Sequence, residues 1–292
     1  MGQTELYCGR FAPSPTGDLH MGSLVAALAS YCQAKANQGM WLLRIEDVDT
    51  SRSIPGAAEQ LIKTLNKFGM TSDKPVVYQS HPERQQAYQE ALSRLTAMQL
   101  TYRCECTRST LRTHSIYPGT CRIKHINQDT PTSIRLKTNN TNFVFNDLIQ
   151  GGQTQNPHRQ CGDFNIKRKD GLFCYQLAVV VDDAAQGITE VVRGIDIMDS
   201  TGRQMYLNHL LSYKQPSFAH IPIIVDNNGN KLSKQNHAKS ITHESPYDTT
   251  KLALKMLGQH VPQLKKKTQS ALLNWAIENW QPSQMAGIQT IS

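Results

Sequence analysis

The stretch RFAPSPTGDLHMGS, residues 10–23, decides the fold. The short apolar run at 6–8 before it predicts a strand, and the apolar spacing over 24–36 after it predicts a helix. Two prolines and Gly17 between them predict a stiff turn. A helix beginning near His20 would point backbone N–H groups and its positive dipole end at a ligand, which favours phosphate. The His-x-Gly pattern alone would equally indicate an ordinary strand–helix loop.

The next apolar run, WLLRI at 41–45, predicts a buried strand. Strand, helix and strand in succession form a βαβ unit, which favours an α/β fold with a Rossmann-type, doubly wound parallel sheet. Ligands of such sheets bind beyond the carboxyl ends of the strands, where residues 10–14 and Glu46 lie. Further strands are predicted at 133–136, 143–145, 188–193 and 220–225, helices at 55–68, 82–98, 204–211, 250–258 and 269–280, an irregular insert at 101–125 and a turn at 151–153.

Composition bounds the class of protein. The chain has 292 residues, of which 39% are hydrophobic, and no apolar run approaches the roughly 18–20 residues of a membrane span. No stretch resembles a signal peptide, so we expect a cytoplasmic protein without a membrane partner. The net charge of +8 fits a polyanion such as tRNA, although many proteins without a nucleic-acid role share it. The seven cysteines are odd in number and mostly isolated, which favours thiols or metal ligands over disulfides.

A second loop carries two lysines in the string KLSKQ, residues 231–235, after the turn cluster DNNGN. Lys231 and Lys234 on such a loop can place their ammonium groups on a polyphosphate. A solvated surface loop is the alternative for an isolated Lys-x-x-Lys pattern.

Together, the two strings resemble the two signatures of class I aminoacyl-tRNA synthetases in their glutamyl and glutaminyl branch. Ser23 stands where the first signature ends in a second histidine, and the second usually reads Lys-Met-Ser-Lys-Ser. The resemblance implies ATP with Mg²⁺ as a substrate, and catalysis of a carboxylate's in-line attack on the α-phosphate mainly by positioning and electrostatics. The catalytic residues it implies are His20, Gly22, Lys231 and Lys234, of which His20, Gly22 and Lys234 also bind ATP.

The same branch implies glutamate as the amino acid. A glutamate pocket needs a guanidinium for the side-chain carboxylate and an acid for the ammonium group. The implied glutamate-binding residues are Arg10, Phe11, Ala12, Pro13, Ser14, Glu46, Tyr175 and Arg193. Taken singly, Arg193 fits a surface ion pair and Tyr175 a core residue equally well. Asp182 and Asp183 invite a metal interpretation, but we expect a structural role for them.

Three thiols within residues 101–125 form a plausible zinc set, for which the alternative is three unrelated cysteines. They are Cys104, Cys106 and Cys121. Three thiolates need a fourth ligand to complete a tetrahedron, and ligand chemistry alone nominates His114 or His125. The pattern Cys-x-Cys…Tyr-x-x-x-Cys resembles the zinc site of glutamyl-Q tRNA(Asp) synthetases, which implies Tyr117 instead. Such a Zn²⁺ would be structural and would hold an insert that guides the RNA.

The predicted organisation is a catalytic core in two halves, 1–100 and 131–225, a zinc-binding insert at 101–130, and the KLSKQ loop with short C-terminal helices at 226–292. About fifty residues follow the loop, too few for a typical domain, so we expect no anticodon-reading domain. Resemblance to the glutamyl-Q tRNA(Asp) synthetases then implies transfer of glutamate, activated as its adenylate, to queuosine in the anticodon of tRNA(Asp). We expect a monomer.

Three alternatives stay open. A truncated glutamyl-tRNA synthetase would charge the tRNA 3′ end. A non-catalytic tRNA-binding paralogue would not need His20 or the intact lysine pair at 231 and 234. A small-molecule nucleotidyltransferase sharing the His-x-Gly turn would need neither the glutamate pocket nor the zinc insert.

Overall fold

The computed structural model describes residues 6–225 and 240–291. Parallel strands form its centre: β1 (Cys8–Phe11) pairs with β2 (Met40–Ile45), β2 with β3 (Val77–Tyr78), and β9 (Glu190–Gly194) with β10 (Ser217–Ile221). β9 lies beside β1, where the Thr189 N–H donates to the Cys8 carbonyl at 2.9 Å. The chain starts in the middle at β1, runs outward to β3, and returns to the other side of β1. This strand order confirms the α/β prediction. The switch point between β1 and β9 is where a doubly wound sheet binds ligands.

Helices cover both faces of these strands. α1 (Met21–Ala36), α2 (Ala57–Lys67), α7 (Pro246–Met256) and α8 (Gln269–Glu278) share one hydrophobic core with Trp41 and Leu43 of β2. The intervening Leu42 points the other way and packs with Met205. α3 (Pro82–Ala97), α5 (Tyr175–Gln186) and α6 (Thr201–Leu211) form a separate core. The strand period of two thus places neighbouring side chains in different layers.

A smaller antiparallel region is inserted between the parallel ladders. β4 (Thr101–Cys104), β5 (Ser133–Leu136) and β8 (Phe164–Lys167) form one sheet, β6 (Phe143–Asp147) and β7 (Gly151–Gln155) form a hairpin, and α4 (Pro157–Gln160) is a single turn. The predicted turn at 151–153 is therefore wrong: the turn lies at 148–150, and Gly151, whose φ is 71°, already pairs with Asp147 of β6. The insert at 101–125 also begins with a strand rather than irregular chain. The predicted domain boundaries stay predictions.

The other predicted elements are present with shifted ends. The first strand lies at Cys8–Phe11 rather than 6–8, because Arg10 is buried inside it and interrupts the apolar pattern. The strand predicted at 220–225 is split by Pro222, which has no N–H to donate: β10 ends at Ile221, and β11 (Ile223–Ile224) pairs with β12 (Thr290–Ile291). The valine-rich α5 was not predicted, because β-branched residues favour strands. None of the helices within residues 6–225 and 240–291 combines the length and hydropathy of a membrane span.

Candidate active site

The loop between β1 and α1 is held rigidly against the chain that follows β2. Gly17 adopts a φ of 131°, as its position in the predicted turn requires. The Glu46 N–H donates to the Pro13 carbonyl and the Ile54 N–H to the Pro15 carbonyl, both at 2.9 Å. Backbone hydrogen bonds therefore fix the relative position of two segments in which binding residues are predicted.

His20 caps the N-terminus of α1. Its Nδ1 accepts a hydrogen bond from the Ser23 N–H at 3.3 Å, and its Nε2 lies 2.9 Å from the Ser23 hydroxyl. Because Nδ1 is the acceptor, the neutral ring carries its proton on Nε2. Ser23, which replaces the second histidine of the signature, is thus the residue that orients the first.

The first turn of α1 opens onto a cavity of about 560 Å³, a size typical of small-molecule sites. Its lining includes the predicted residues Phe11, Ala12, Pro13, Ser14, His20 and Gly22, together with Gly194 at the end of β9 and Asp196 just after it. The cavity therefore lies at the switch point between β1 and β9, against a helix N-terminus suited to phosphate.

Lys231 and Lys234 lie outside the described residues. The chain described on either side of them borders the same cavity: Ile224 lines it, and Ser240 forms an antiparallel bridge with His20. The Ser240 hydroxyl also donates to the Asp18 carboxylate at 2.9 Å.

A second cavity of about 170 Å³ adjoins the first. Ser14 and Thr16 line both cavities, while Glu46 and Tyr175 line the second. Burial raises the pKa of Glu46, and the charges of Arg44 and Arg10 offset that rise only in part. Burial also raises the pKa of Tyr175, whose hydroxyl makes no hydrogen bond with a described residue. The second cavity thus presents one acid and one hydroxyl to a small ligand.

Arg10 is buried, with 3% of its surface exposed, and its charge is already paired. Its Nε and Nη2 donate to the two Asp183 carboxylate oxygens at 3.2 and 3.4 Å. The fully buried Arg44 donates to the same Asp183 at 2.7 Å and to Glu46 at 3.2 Å. Burial alone would raise the pKa of Asp183, but the charges of Arg10 and Arg44 outweigh it and lower that pKa.

Asp182 lies beside this group and confirms the structural role predicted for the Asp182–Asp183 pair. Its carboxylate accepts hydrogen bonds from Gln79, Arg84 and Tyr88 at 2.7 to 2.8 Å. The carboxylates of both aspartates are therefore engaged in hydrogen bonds with protein side chains.

Arg193 is buried to a similar extent, with 5% of its surface exposed, but its described partners are all uncharged. Its Nε donates to His220 Nε2 at 3.0 Å, its Nη1 to Gln204 at 2.7 Å and its Nη2 to the Thr201 hydroxyl at 2.8 Å. Within residues 6–225 and 240–291, no carboxylate lies at ion-pair distance from it. Burial lowers the pKa of Arg193, as expected for a cation that lacks a counterion.

The structure brings the four chemically distinctive residues of the predicted glutamate pocket together. Glu46, Arg193 and Arg10 all act on the pKa of Tyr175, which places them in one electrostatic environment. Glu46 and Tyr175 line the second cavity, whereas Arg10 and Arg193 line neither of the two cavities.

Sequence reasoning missed three buried residues that hydrogen-bond to Glu46 or Arg193, either directly or through another side chain. They are Arg44, Asp147 and His220, all at most 1% exposed. The signal for Arg44 and His220 was a charged or polar residue inside an apolar strand, which indicates a buried partner.

The three predicted thiols converge in a buried cluster of their own. The Sγ atoms of Cys104, Cys106 and Cys121 lie within 4.8 Å of one another. The Tyr117 hydroxyl lies 3.4 Å from Cys104 Sγ and 3.9 Å from Cys106 Sγ, while His114 and His125 are not part of the cluster. The donor set is compatible with a bound metal, since three sulfurs lie close together with one hydroxyl oxygen near two of them.

Hydrogen bonds favour the metal-binding form of Cys104. Burial alone would raise its pKa, but hydrogen bonds from Tyr117 and from Arg135, whose Nε lies 3.2 Å from the sulfur, lower the pKa to about 7. The thiolate is the form that binds metals. The Arg135 guanidinium also lies 3.6 Å from the centre of the Tyr117 ring and so holds that ring in place.

The chain is similar to proteins of known family over almost its whole length. The family model described as "tRNA synthetases class I (E and Q), catalytic domain" matches residues 8–258. A glutamyl-Q tRNA(Asp) synthetase from Vibrio parahaemolyticus is 46% identical over 96% of this chain and 94% of its own length. One from Serratia proteamaculans is 43% identical, over 99% of this chain and 95% of its own.

Solved structures agree on the fold. The structure of a glutamate-tRNA synthetase from Elizabethkingia anophelis matches 99% of this chain and 68% of its own with a TM-score of 0.80 and 24% identity. The family is decided by the family model, which covers β1–β3, β9, β10 and the thiol cluster, and by the relatives of 43–46% identity. The chain belongs to the catalytic-domain family of class I tRNA synthetases of the E and Q type.

Proposed function

We propose that this protein activates glutamate with ATP-Mg²⁺ to glutamyl-adenylate, releases pyrophosphate, and transfers the glutamyl group to queuosine in the anticodon of tRNA(Asp). The observation that carries the proposal is the 43–46% identity to glutamyl-Q tRNA(Asp) synthetases over nearly the full length of both chains. The choice of queuosine as acceptor rests on those relatives. A tRNA substrate favours the cytoplasm as the site of action.

The two adjoining cavities support the activation step. ATP in the larger cavity would set its phosphates near the first turn of α1, with His20 and Gly22 beside them. Glutamate in the smaller cavity would reach across the shared wall of Ser14 and Thr16. Its α-carboxylate would then face the α-phosphate, so that binding itself supplies the alignment for in-line attack. We assign stabilisation of the developing phosphate charge to Lys231 and Lys234, on the basis of the signature alone.

The charge distribution supports glutamate as the amino acid. Arg193 is a buried cation without a described counterion, and the side-chain carboxylate of glutamate would supply one. Glu46 would bind the ammonium group and Tyr175 would add a hydrogen bond. Ionisation of the raised-pKa Glu46 would be favoured by that ammonium group.

The thiol cluster supports a structural zinc site with Cys104, Cys106, Cys121 and Tyr117 as ligands. The placement of the Tyr117 hydroxyl near two of the sulfurs favours it over His114 and His125. When bound, the metal would cross-link an insert that has few regular elements. Metal analysis tests this: Cys121→Ser should lose zinc, a double His114→Ala/His125→Ala variant should retain it, and loss of zinc from that double variant would exclude Tyr117 as the fourth ligand.

Labelled glutamate tests the overall function. The protein is incubated with ATP-Mg²⁺ and two matched tRNA pools, one with queuosine and one from cells unable to make it. We expect label on the queuosine-containing pool alone. Equal labelling of both pools would indicate charging of the 3′ end, and no label together with no glutamate-dependent pyrophosphate exchange would indicate a non-catalytic tRNA-binding protein.

A further inference from the structure

A buried carboxylate–imidazole pair stands behind Arg193. His220 has no exposed surface and Asp147 has 1%. Asp147 Oδ2 lies 2.6 Å from His220 Nδ1, and His220 Nε2 lies 3.0 Å from Arg193 Nε. The three side chains thus form one continuous chain of hydrogen bonds from β6, through β10, to β9.

The hydrogen-bond partners define the protonation of the imidazole. Arg193 Nε can only donate, so His220 Nε2 must accept, and the ring proton lies on Nδ1 and is donated to Asp147. Burial lowers the pKa of His220, and although Asp147 opposes that effect, the charge of Arg193 reinforces it. The ring is therefore a neutral acceptor with a single defined tautomer.

We propose that Asp147 and His220 are positioning residues that orient the Arg193 guanidinium for the substrate carboxylate without neutralising its charge. A carboxylate in direct contact would also orient the guanidinium, but it would compete with the substrate. The neutral ring separates the acid from the cation and keeps the direction of the hydrogen bond. This inference rests on the proposed role of Arg193 in binding glutamate.

The hydrogen bonds of Asp147 make a one-atom test possible. Its Oδ1 accepts from the N–H groups of Ile149, Gln150 and His220 at 2.9 to 3.1 Å. In an Asp147→Asn variant the amide oxygen must stay at these three donors, so the amide NH₂ faces His220 Nδ1. The ring proton then moves to Nε2, where it opposes the N–H of Arg193 Nε.

The experiment measures glutamate-dependent pyrophosphate exchange in the presence of queuosine-containing tRNA. We expect Asp147→Asn to raise the KM for glutamate about 10-fold or more, with the KM for ATP changed less than 2-fold, as one misdirected charged hydrogen bond implies. His220→Asn keeps a donor for Asp147 but cannot reach Arg193, and it should raise the same KM. His220→Gln can place an acceptor near Arg193 and should restore most of the affinity, also in the Asp147→Asn background.

Asp73→Asn is the control, because Asp73 likewise accepts hydrogen bonds from a backbone N–H and from a side chain, but its partners are Trp41 and Lys35 rather than members of the Arg193 group. Unchanged glutamate KM in Asp147→Asn and His220→Asn, or a parallel rise of both KM values, would overturn the proposal. If Asp147→Asn does not fold, the difference between the two His220 variants decides. Arg193→Met separates this proposal from the proposed glutamate site. If Arg193→Met also leaves the glutamate KM unchanged, the proposed glutamate site itself is wrong. If Arg193→Met raises that KM while the His220 variants do not, only the positioning role is wrong.

Discussion

Arg10 and Arg193 occupy similar positions in the sheet but differ in the charge of their hydrogen-bond partners. Each lies on a parallel strand beside the switch point, and each is at least 95% buried. Arg10 shares Asp183 with Arg44 in a group where carboxylates match the cations. Arg193 has uncharged partners among the described residues. The difference teaches that burial of an arginine does not reveal its role. The charge of the partners adds that Arg10 is already balanced by a carboxylate, whereas Arg193 has a charge that a ligand carboxylate could balance; that either arginine binds glutamate stays a prediction.

The strongest test of the comparison makes the same substitution at Arg44, which shares Asp183 with Arg10, and at Arg193. The larger loss of stability is expected at Arg44. Arg44→Met leaves Asp183 and Glu46 buried beside an apolar side chain, and loss of one partner of a buried pair costs about 3–5 kcal/mol. The free energy of unfolding from urea denaturation measures this. Arg52→Met, which removes an ion pair from an arginine side chain that is 72% exposed, should cost less than about 1 kcal/mol.

Arg193→Met should affect glutamate binding more than stability. Removing a buried cation that has no counterion also removes the cost of its desolvation. Arg193→Met should therefore lower the free energy of unfolding by less than Arg44→Met does. The glutamate KM should instead rise about 30-fold to 1,000-fold, as when a buried charge pair loses one member at a cost of about 2–4 kcal/mol. A large loss of stability with an unchanged glutamate KM would reverse the roles assigned to the two regions.

The two regions should also respond to acid at different pH. His220 has a lowered pKa in the folded protein, so its neutral form stabilises the fold above its ordinary pKa of about 6.5, and that stability is lost as pH falls from there toward the folded pKa. The slope reaches at most about 1.4 kcal/mol per pH unit. Asp183, whose pKa is also lowered, contributes fully above about 3.9 and loses its contribution only below that pH. Unfolding measured from pH 7 to 4 should show a shallower decline in His220→Asn than in the unsubstituted protein, and an identical decline would contradict this assignment.

The smallest effect is expected at Tyr175. Its hydroxyl would contribute one uncharged hydrogen bond to the ligand, worth about 0.5–1.5 kcal/mol. Tyr175→Phe should therefore raise the glutamate KM about 2-fold to 10-fold and leave the melting temperature nearly unchanged, since the hydroxyl has no described protein partner. A fall in melting temperature without a change in KM would make Tyr175 a core residue.

Local patterns predicted much of the fold and the location of the site. Apolar periodicity placed β2, α1 and α3 within a few residues, and the proline- and glycine-rich turn placed His20 at the N-terminus of α1. The apolar run predicted a first strand at 6–8 but not its extent to Phe11, because the buried Arg10 is acceptable there only beside an aspartate 173 residues away.

The partners of the site could not be predicted because they depend on packing between distant elements. Asp147 and His220 are 73 residues apart and meet only because β6 packs beside β10. No local motif announces that contact. Similarly, spacing indicated a metal site at the three cysteines, and resemblance implied Tyr117 as the fourth ligand. The folded chain adds that the Tyr117 hydroxyl lies near two of the sulfurs, whereas His114 and His125 are not part of the cluster.

The pairing of β11 with β12 has a practical consequence for handling the protein. Ile223 and Ile224 line the larger cavity, and their strand is completed by Thr290 and Ile291 from the far end of the described chain. Backbone hydrogen bonds from Ile223 to Gln289 and from Val225 to Ile291 hold that edge. An affinity tag or a cleavage scar placed directly after residue 291 would therefore lie next to the strand that lines the larger cavity.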